Sequence, residues 1–441
     1  MTGRTDAGPG VPPTAGPVVP PTAGPVVPPT AAIQRMIRAG DHDGAASAVA
    51  ALVEAGCGRV VGSVTLTLDE YSLNSVSGRV RFEDGTVEFF KFHHEEGEER
   101  NVSEYYRARL LSDAGLPVEV PLAVVTEPGR QVVLYEVRNE PRLADVCADL
   151  ERRDGTAARL PPHLAAARRA LDAAIGSVMV ATVRASGGTS ASAAIHQLFH
   201  HRLTDGGRFP GGRYRAWYLE HPEFERVADR RYRINGVTYD STPRQLARRA
   251  AALLDPEVLA TGPVVTAHGD DHHGNIWVRE GSGGTRLSLF DPAFASDDVP
   301  ALLAPVKATF HNVLAHPFWL YHPGEAASRV HVRAEPGDDV VSVEDDAALS
   351  VLRRQVLDSV AERVWAPLLA TLAARGMLGE GWRATVRAAL FCCPLLVTDL
   401  LSPERPEPIR QLGLARAVMA GSEPLDGSDE LSRMLDRVTP S

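Results

Sequence analysis

The sequence VVTAHGDDHHGNIWVREGSGGTRLSLFDPAFA occupies residues 264–295 and carries the most specific pattern in the chain. A run rich in histidine and aspartate ends at Asn275, and two short apolar stretches around Gly-Ser-Gly-Gly then lead to Asp291. This arrangement predicts a β-hairpin with Asn275 at its entry and Asp291 at its exit. Because the ends of an antiparallel pair meet, we expect these two side chains to lie close together.

The residue types at the two ends of this hairpin indicate a particular chemistry. An amide oxygen beside a carboxylate suits Mg²⁺, which prefers oxygen ligands and takes its others from phosphates and water. Asp270 precedes the hairpin and is not needed for the ion, so it is free to orient or deprotonate an attacking hydroxyl. The stretch therefore predicts a site for phosphoryl transfer.

The motif HGDDHHGN (residues 268–275), followed by FDPAFA (290–295), resembles the catalytic and metal-binding loops of the aminoglycoside phosphotransferase and choline-kinase-like family. This family is a branch of the protein-kinase-like fold, and its usual form is H-G-D-x-H-x-x-N. The resemblance implies that Asp270 is the catalytic base and that His268 braces the loop. It also implies Mg²⁺ ligands at Asn275 and Asp291, and ATP or GTP as the phosphoryl donor. His273 departs from the pattern, because relatives often have proline there.

The region before this motif has the elements of a small nucleotide-binding lobe. A first helix is predicted over 32–55, and the order that follows is three strands, one helix and two strands. The periodicities place these elements at 60–68, 75–82, 86–93, 98–114, 120–125 and 131–137. The predicted fold class is α+β: a bilobal, protein-kinase-like chain. The small lobe, over residues 32–140, would contain a small antiparallel sheet with one main helix. The large helical lobe would span residues 141–441.

The third predicted strand carries Lys91, the only lysine in the first 300 residues. Its apolar neighbours on both sides argue against a solvent-facing edge position. The resemblance implies that Lys91 holds the α- and β-phosphates and that a glutamate on the next helix orients it. The segment EYYRARLLSDAGLPV matches the family's glutamate eleven residues before Gly-Leu-Pro, which selects Glu104. Glu98 and Glu99 remain alternatives, either as the partner or as a solvated charge cluster in the first turn.

The expected nucleotide loop lacks the glycine pattern GxGxxG. Ser72, Asn74 and Ser75 are the candidates for covering the phosphates, and an ordinary polar turn is the alternative. The segment LYEV (134–137) resembles the hinge between the lobes, so the backbone at Glu136 and Val137 is expected to pair with the nucleotide base.

The composition excludes several classes of protein. The chain has 441 residues with 46 lysines and arginines against 56 acidic residues, a net charge of −10, which argues against a general nucleic-acid binder. Four cysteines are too few for a disulfide scaffold. No apolar run approaches the roughly 20 residues that span a membrane, and the N-terminus lacks the layout of a signal peptide. We therefore expect a cytoplasmic protein without a membrane anchor.

Residues 1–31 and the helical region supply further expectations. Residues 1–31 contain three copies of an eight-residue proline-rich unit, which predicts an extended tail. No partner is assigned to this tail. Residues 202–249 hold eleven arginines against six acidic residues. They form either a solvated helical surface or, if they face the active site, the binding surface for an anionic acceptor. Part of 297–323 is expected to line the acceptor side of the cleft.

The predicted function is an ATP- or GTP-dependent phosphotransferase. The acceptor is a hydroxyl of a small molecule, such as an antibiotic, a nucleoside or another metabolite, or of a natural-product precursor peptide. One alternative is a catalytically inactive kinase-like scaffold or binding protein of a biosynthetic pathway. A lesser alternative is a metal-dependent hydrolase, since residues 268–273 are dense in metal-ligand types. Their spacing matches neither HxHxDH nor HExxH.

Overall fold

The computed structural model describes residues 30–67, 75–93, 104–125, 127, 129–204, 209–316 and 318–440. Ser72, Asn74, Glu98, Glu99 and nearly all of the proline-rich tail lie outside these ranges. The backbone of Ser75 and Glu104 is described, but their side chains lie outside the description.

The small lobe is built on a five-stranded antiparallel sheet with the strand order β1-β2-β3-β5-β4. The predicted three-strand meander is confirmed, since β2 pairs with β1 on one side and with β3 on the other. The strand β3 then pairs with β5, which places it at the centre of the sheet. The strands are β1 (Val61–Thr67), β2 (Ser75–Phe82), β3 (Val87–His93), β4 (Ala123–Val125) and β5 (Val132–Glu136).

Three helices accompany this sheet in the described part of the lobe, where the sequence predicted a first helix and one main helix. They are α1 (Thr30–Arg38), α2 (His42–Cys57) and α3 (Glu104–Asp113). The single helix predicted over 32–55 is wrong in one respect, because the chain breaks at Gly40, where φ is 78°. Asp41 then caps α2 by accepting a hydrogen bond of 3.0 Å from the Gly44 N–H.

The two N-terminal helices cover one face of the sheet. Ile33 of α1 and Leu52 of α2 pack in one core cluster with Phe90 and Phe92 of β3. Since side chains alternate along a strand, the residues between these phenylalanines point to the opposite face, towards the large lobe. Burial of one face by apolar packing thus fixes the direction of Lys91.

The large lobe is mostly helical, as predicted. Its helices are α4 (Leu143–Asp154), α5 (Pro162–Thr182), α6 (His200–Thr204), α7 (Gly212–Tyr214), α8 (Pro222–Glu225), α9 (Pro243–Leu253), α10 (Pro256–Leu259), α11 (Val306–Thr309), α12 (Pro323–Ala327), α13 (Val351–Val360), α14 (Ala366–Ala374), α15 (Trp382–Val397), α16 (Glu407–Gly421) and α17 (Glu430–Val438). Three π-helical segments lie at Arg215–Leu219, Phe310–Leu314 and Ala361–Trp365, and 3₁₀ turns at Gly155–Ala157, Thr189–Ser192, Ala194–Leu198 and His273–Asn275. Among the helices described, none has the length and apolarity that crossing a bilayer would require.

The large lobe also contains more β-structure than the sequence indicated. A three-stranded sheet has the order β12-β9-β6, and a separate hairpin consists of β10 and β11. A four-stranded sheet, β13-β14-β7-β8, was not predicted. The strands are β6 (Arg184–Ala185), β7 (Arg231–Ile234), β8 (Val237–Thr238), β9 (Pro263–Ala267), β10 (Ile276–Gly281), β11 (Gly284–Leu289), β12 (Ser296–Pro300), β13 (Val332–Pro336) and β14 (Val340–Asp345).

The unpredicted sheet has a simple cause at β7. Its sequence Arg-Tyr-Arg-Ile alternates exposed arginines with the buried side chains of Tyr232 and Ile234. That period of two is typical of a strand with one buried face. The prediction that this region is helical is therefore wrong at β7, because its arginine-rich surroundings conceal a four-residue alternation.

Candidate active site

His268 stabilises the loop between β9 and β10 through two hydrogen bonds of its ring. Its Nδ1 accepts a hydrogen bond of 3.3 Å from the Asp270 backbone N–H, so the ring proton lies on Nε2. That Nε2–H donates to the Phe290 carbonyl at 2.9 Å, which ties the loop to the end of the hairpin. His268 is buried and positions the backbone around Asp270.

Gly269 permits this close approach. Its φ of 81° lies in the left-handed region, and a Cβ at this position would come within 2.9 Å of the Phe294 carbonyl oxygen. The backbone carrying Asp270 can therefore lie directly against the segment that follows Asp291.

The predicted hairpin is confirmed, with β10 and β11 antiparallel and Ile276 opposite Leu289. This register brings Asn275 and the start of the Asp291 segment together, and the Phe290 N–H donates to the Asn275 carbonyl at 3.0 Å. The Asn275 side-chain nitrogen donates to the Asp270 carbonyl at 2.8 Å. Because its nitrogen is engaged in this way, the amide oxygen of Asn275 is left to accept a donor or to bind a cation.

Asp291 has a backbone conformation that is unusual for its residue type. Its φ of 58° places it in the left-handed region, one of three non-glycine residues there in the described part of the chain. Such conformations cost free energy and persist where the surrounding structure holds them, often at functional sites. The carboxylate forms an ion pair with the Nζ of Lys91, which crosses from the small lobe to the large one. Lys91 is only 9% exposed.

One cleft between the lobes contains most of the predicted site residues. Its volume is about 790 Å³, and its lining includes Lys91, Glu136, Val137, Asp270, Asn275 and Asp291. The residues predicted from separate motifs, up to 200 positions apart, thus face the same space. Ser72, Asn74, and the side chains of Ser75 and Glu104 are outside the described residues, so their roles stay predictions.

The Asp270 side chain lines this cleft, and one of its two oxygens lacks a hydrogen bond to any described residue. Its Oδ1 is buried and has no hydrogen-bond partner among the described residues. The Nζ of Lys307 lies 3.9 Å from Oδ1, and the His272 Nε2 lies 3.9 Å from Oδ2, both beyond hydrogen-bonding distance. A buried carboxylate oxygen without a donor is costly, and a hydroxyl group entering the cleft would supply the missing donor.

The sequence assigns no role to Lys307, His311 and Tyr321, although their segment is expected to line the cleft. The Nζ of Lys307 donates to the Nε2 of His311 at 2.8 Å, and the Nδ1 of His311 is hydrogen-bonded to the Tyr321 hydroxyl. Burial, followed by the charge of Lys307, holds the pKa of His311 well below its usual range. Burial, followed by the charge of Asp270, raises the pKa of Tyr321 well above its usual range. The i,i+4 spacing of Lys307 and His311 is the signal that was available in the sequence.

A second contact between the lobes lies beside the predicted hinge. Glu119 accepts a hydrogen bond of 2.7 Å from Arg138 and one of 3.1 Å from the indole N–H of Trp277. Trp277 in turn stacks on Phe290, with ring centroids 4.2 Å apart. The hinge side of the cleft is therefore tied to the hairpin that carries Asp291.

His273, the departure from the family pattern, is buried behind the loop. Its backbone N–H donates to the Asn312 side-chain oxygen at 2.6 Å, a bond that a proline at this position would lose. The Cys147 thiol lies 3.7 Å from the ring of His273. Burial raises the pKa of Cys147 to about 11, so this thiol stays protonated and packs as a small apolar group.

The arginine-rich segment 202–249 contributes one arginine to the lining of the cleft. Arg202 lines it, and the other described arginines of the segment do not. Arg244, for example, pairs with Glu225 and Asp229 at 2.9 and 3.0 Å on the surface. Within the described residues the segment therefore serves mainly as a charged surface and as packing around buried tyrosines such as Tyr218.

The metal-hydrolase alternative gains no support from the geometry. In the ranges that the structure covers, no three histidine, cysteine, aspartate or glutamate side chains come together as a metal site of that kind requires.

Among known proteins, several solved structures are similar to this chain. No protein-family model and no curated protein matches the chain. Solved structures similar to it include a proposed fructosamine-3-kinase of Thermobifida fusca (20% identity, 84% of this chain and 98% of that one, TM-score 0.37). Others are an aminoglycoside phosphotransferase of Streptomyces rimosus (14%, 79% and 98%, 0.39) and a macrolide 2'-phosphotransferase of Brachybacterium faecium (17%, 78% and 97%, 0.31). The kinase-like assignment of the fold rests on the chain's own strand order, register and loop geometry.

Proposed function

We propose that this chain is a phosphotransferase that moves the γ-phosphoryl group of ATP or GTP to a hydroxyl group, with Mg²⁺ as cofactor. The observation that carries the proposal is the convergence of Lys91, Asp270, Asn275 and Asp291 in one interlobe cleft. A cation, a carboxylate with a free oxygen, and an amide–carboxylate pair are the parts that phosphoryl transfer requires.

The residues at the end of the hairpin fit a magnesium ion. Asp291 offers a carboxylate that faces the cleft, and Asn275 offers an amide oxygen because its nitrogen is held by the Asp270 carbonyl. These two residues would hold the ion, which when bound neutralises charge on the β- and γ-phosphates. Lys91, which pairs with Asp291 in the structure, would contact the α- and β-phosphates. Glu104 would then orient Lys91, and Ser72, Asn74 and Ser75 would cover the phosphates.

Asp270 would act as the base. Its unpartnered Oδ1 accepts the proton of the acceptor hydroxyl, while the oxygen forms a bond to the γ-phosphorus and the bond to the bridging oxygen breaks. His268 keeps the loop in place through its two hydrogen bonds. Most of the rate enhancement would come from positioning and from charge stabilisation. Glu136 and Val137 line the cleft, where their backbone would meet the nucleotide base.

The acceptor is proposed to be a small hydroxyl compound that is neutral or anionic, and a hydroxyl of a precursor peptide fits the same chemistry. The cleft lining includes the cations Lys307, whose Nζ lies 3.9 Å from the Asp270 Oδ1, and Arg202. A polycationic aminoglycoside prefers carboxylates, so this lining disfavours it.

The proposal is tested by phosphoryl transfer from γ-labelled ATP to a panel of hydroxyl compounds, anionic members included. The wild type should label at least one acceptor in the presence of Mg²⁺, and Asp270→Ala should lose turnover at least 100-fold while binding nucleotide normally. Full activity of Asp270→Ala would contradict the assignment. Nucleotide binding without any metal dependence would instead favour the inactive scaffold.

A further inference from the structure

Lysine is rare in this chain, and both lysines line the cleft. Of the 46 basic residues other than histidine, only Lys91 and Lys307 are lysines. The residues that line the cleft in the described part of the chain make up under a tenth of the sequence. Lysine differs from arginine in presenting a compact point charge with rotatable donors, which fits a confined space where a planar fork does not. Lys91 has a role in the proposed reaction, and Lys307 does not yet have one.

Lys307 lies deep in the cleft and is only 3% exposed. A buried ammonium group requires acceptors, and among the described residues His311 alone accepts a hydrogen bond from its Nζ. The nearest carboxylate oxygen is the Asp270 Oδ1 at 3.9 Å. This Oδ1 is buried and has no hydrogen-bond partner among the described residues. The two groups are therefore neighbours that do not bond to each other, and each has unused hydrogen-bonding capacity.

This separation allows one oxygen atom, lying beside the line that joins the two groups, to reach both of them. At 3.9 Å the two atoms are too far apart to bond directly. An oxygen placed about 2.8 Å from both would complete a hydrogen bond to each. A hydroxyl group meets both requirements, because it donates its proton to a carboxylate and accepts from an ammonium.

His311 and Tyr321 hold Lys307 in this orientation. Since the His311 Nε2 accepts from Lys307, the ring proton lies on Nδ1 and is donated to the Tyr321 hydroxyl oxygen. The three residues form one hydrogen-bonded chain along the floor of the cleft. The chain sets the position of Nζ without neutralising its charge, because both partners are uncharged when buried.

We propose that Lys307 is a catalytic residue that binds the reacting oxygen of the acceptor together with Asp270. The inference rests on the proposed phosphotransferase function and adds a residue to it. In the reaction, the hydroxyl proton passes to Asp270, the oxygen's electron pair forms the new bond to phosphorus, and the nucleoside diphosphate leaves. Lys307 stabilises the negative charge that develops on the attacking oxygen before the new bond is complete.

The test uses the full-length chain with water as the acceptor, so that no natural acceptor is needed. Hydrolysis of γ-labelled ATP with Mg²⁺ is measured in single turnover for the wild type, Lys307→Met, Lys307→Gln and Asp270→Asn. The affinity for the non-hydrolysable analogue AMP-PNP with Mg²⁺ is measured alongside by calorimetry. Arg152→Met is the matched control, since Arg152 also lines the cleft but pairs with Glu325 and Asp149.

Lys307→Met is expected to lower the hydrolysis rate about 100-fold, as loss of one preorganised donor does elsewhere, with AMP-PNP affinity within threefold of the wild type. Lys307→Gln keeps a donor without the charge and should fall between the two. Arg152→Met should hydrolyse ATP at the wild-type rate. If Lys307→Met fails to bind AMP-PNP, Lys307→Gln decides the question, and failure of both variants to bind would contradict a role confined to the reacting oxygen.

Two other outcomes would count against the inference and are distinguishable. If the Lys307 variants that bind AMP-PNP hydrolyse ATP within threefold of the wild type while Asp270→Asn does not, Lys307 is structural and the proposed function stands. If the wild type shows no Mg²⁺-dependent hydrolysis, or Asp270→Asn retains it, the proposed function fails and the role of Lys307 fails with it.

Discussion

At the level of single residues, the cleft contains two lysine–aspartate pairs with different geometries. Lys91 is in contact with Asp291, whereas Lys307 stands 3.9 Å from Asp270. The ion pair of Lys91 and Asp291 is the arrangement expected of two groups that would separate when phosphates and a metal ion bind between them. The separated pair fits groups that take up one substrate atom. In the proposed reaction the same residue types would therefore support different steps, because their spacing differs.

Asp271, next to Asp270, allows a prediction about pH. It is buried with an unpartnered Oδ1, and burial raises its pKa above the ordinary value near 4. The folded state therefore holds this proton more tightly than the unfolded state, so its contribution to stability is greatest below about pH 4. That contribution is lost as the pH rises through the raised pKa.

Replacing Asp271 with asparagine should accordingly raise the melting temperature by a few degrees at pH 7 and leave it unchanged near pH 3.5. Melting curves of both proteins from pH 3.5 to 8 test this. A variant that is less stable than the wild type at pH 7 would show that the ionised carboxylate is stabilised in the fold.

The individual residues of the site were predictable where a local pattern marks them. Asp270, Asn275 and Asp291 follow from the spacing in one stretch, and Lys91 from its strand. The proximity of Lys307 to Asp270 was not predictable, because it depends on how α11 and the π-helical segment after it pack beside the loop. No spacing within the sequence encodes that packing.

At the level of elements, the loop between β9 and β10 depends on the left-handed glycine at 269. Gly269→Ala adds strain of about 1 kcal/mol from φ alone and a contact with the Phe294 carbonyl that the backbone must move to relieve. We expect it to lower the melting temperature and to reduce turnover at least tenfold.

Gly281 supplies the matched control for this change. It lies at the tip of the neighbouring hairpin, and a Cβ there would meet nothing within 4 Å. Gly281→Ala should therefore leave both stability and turnover close to the wild type. Equal behaviour of the two variants in melting and turnover measurements would mean that the loop does not need its left-handed turn.

Elements were predictable where their periodicity is undisturbed. The strand over 75–82 and the hairpin after Asn275 match the structure, because alternation and turn residues agree there. The sequence does not predict the four-stranded sheet, because its short strands lie inside arginine-rich sequence or far apart along the chain. Its parallel pair, β7 with β14, joins residues more than 100 positions apart.

At the level of the whole molecule, the two lobes meet in a cleft, and the contacts between them include an ion pair and a hydrogen-bonded glutamate. The Lys91–Asp291 pair and the Glu119 contacts both join the small lobe, or its linker, to the hairpin of the large lobe. A nucleotide bound with Mg²⁺ would replace the direct ion pair with bridging contacts. Its binding should therefore stabilise both lobes together.

The central claim, a Mg²⁺-dependent nucleotide site at Lys91, Asn275 and Asp291, is tested most directly by thermal-shift titration. ATP and GTP would each be added with and without Mg²⁺ to the wild type, Lys91→Met and Asp291→Ala. At 100 times its dissociation constant a nucleotide stabilises the fold by about 2.7 kcal/mol, which is a shift of several degrees. We predict such a shift with at least one nucleotide in the wild type, dependent on Mg²⁺ and absent from both variants. No shift with either nucleotide, or a shift that Asp291→Ala retains in full, would contradict the account.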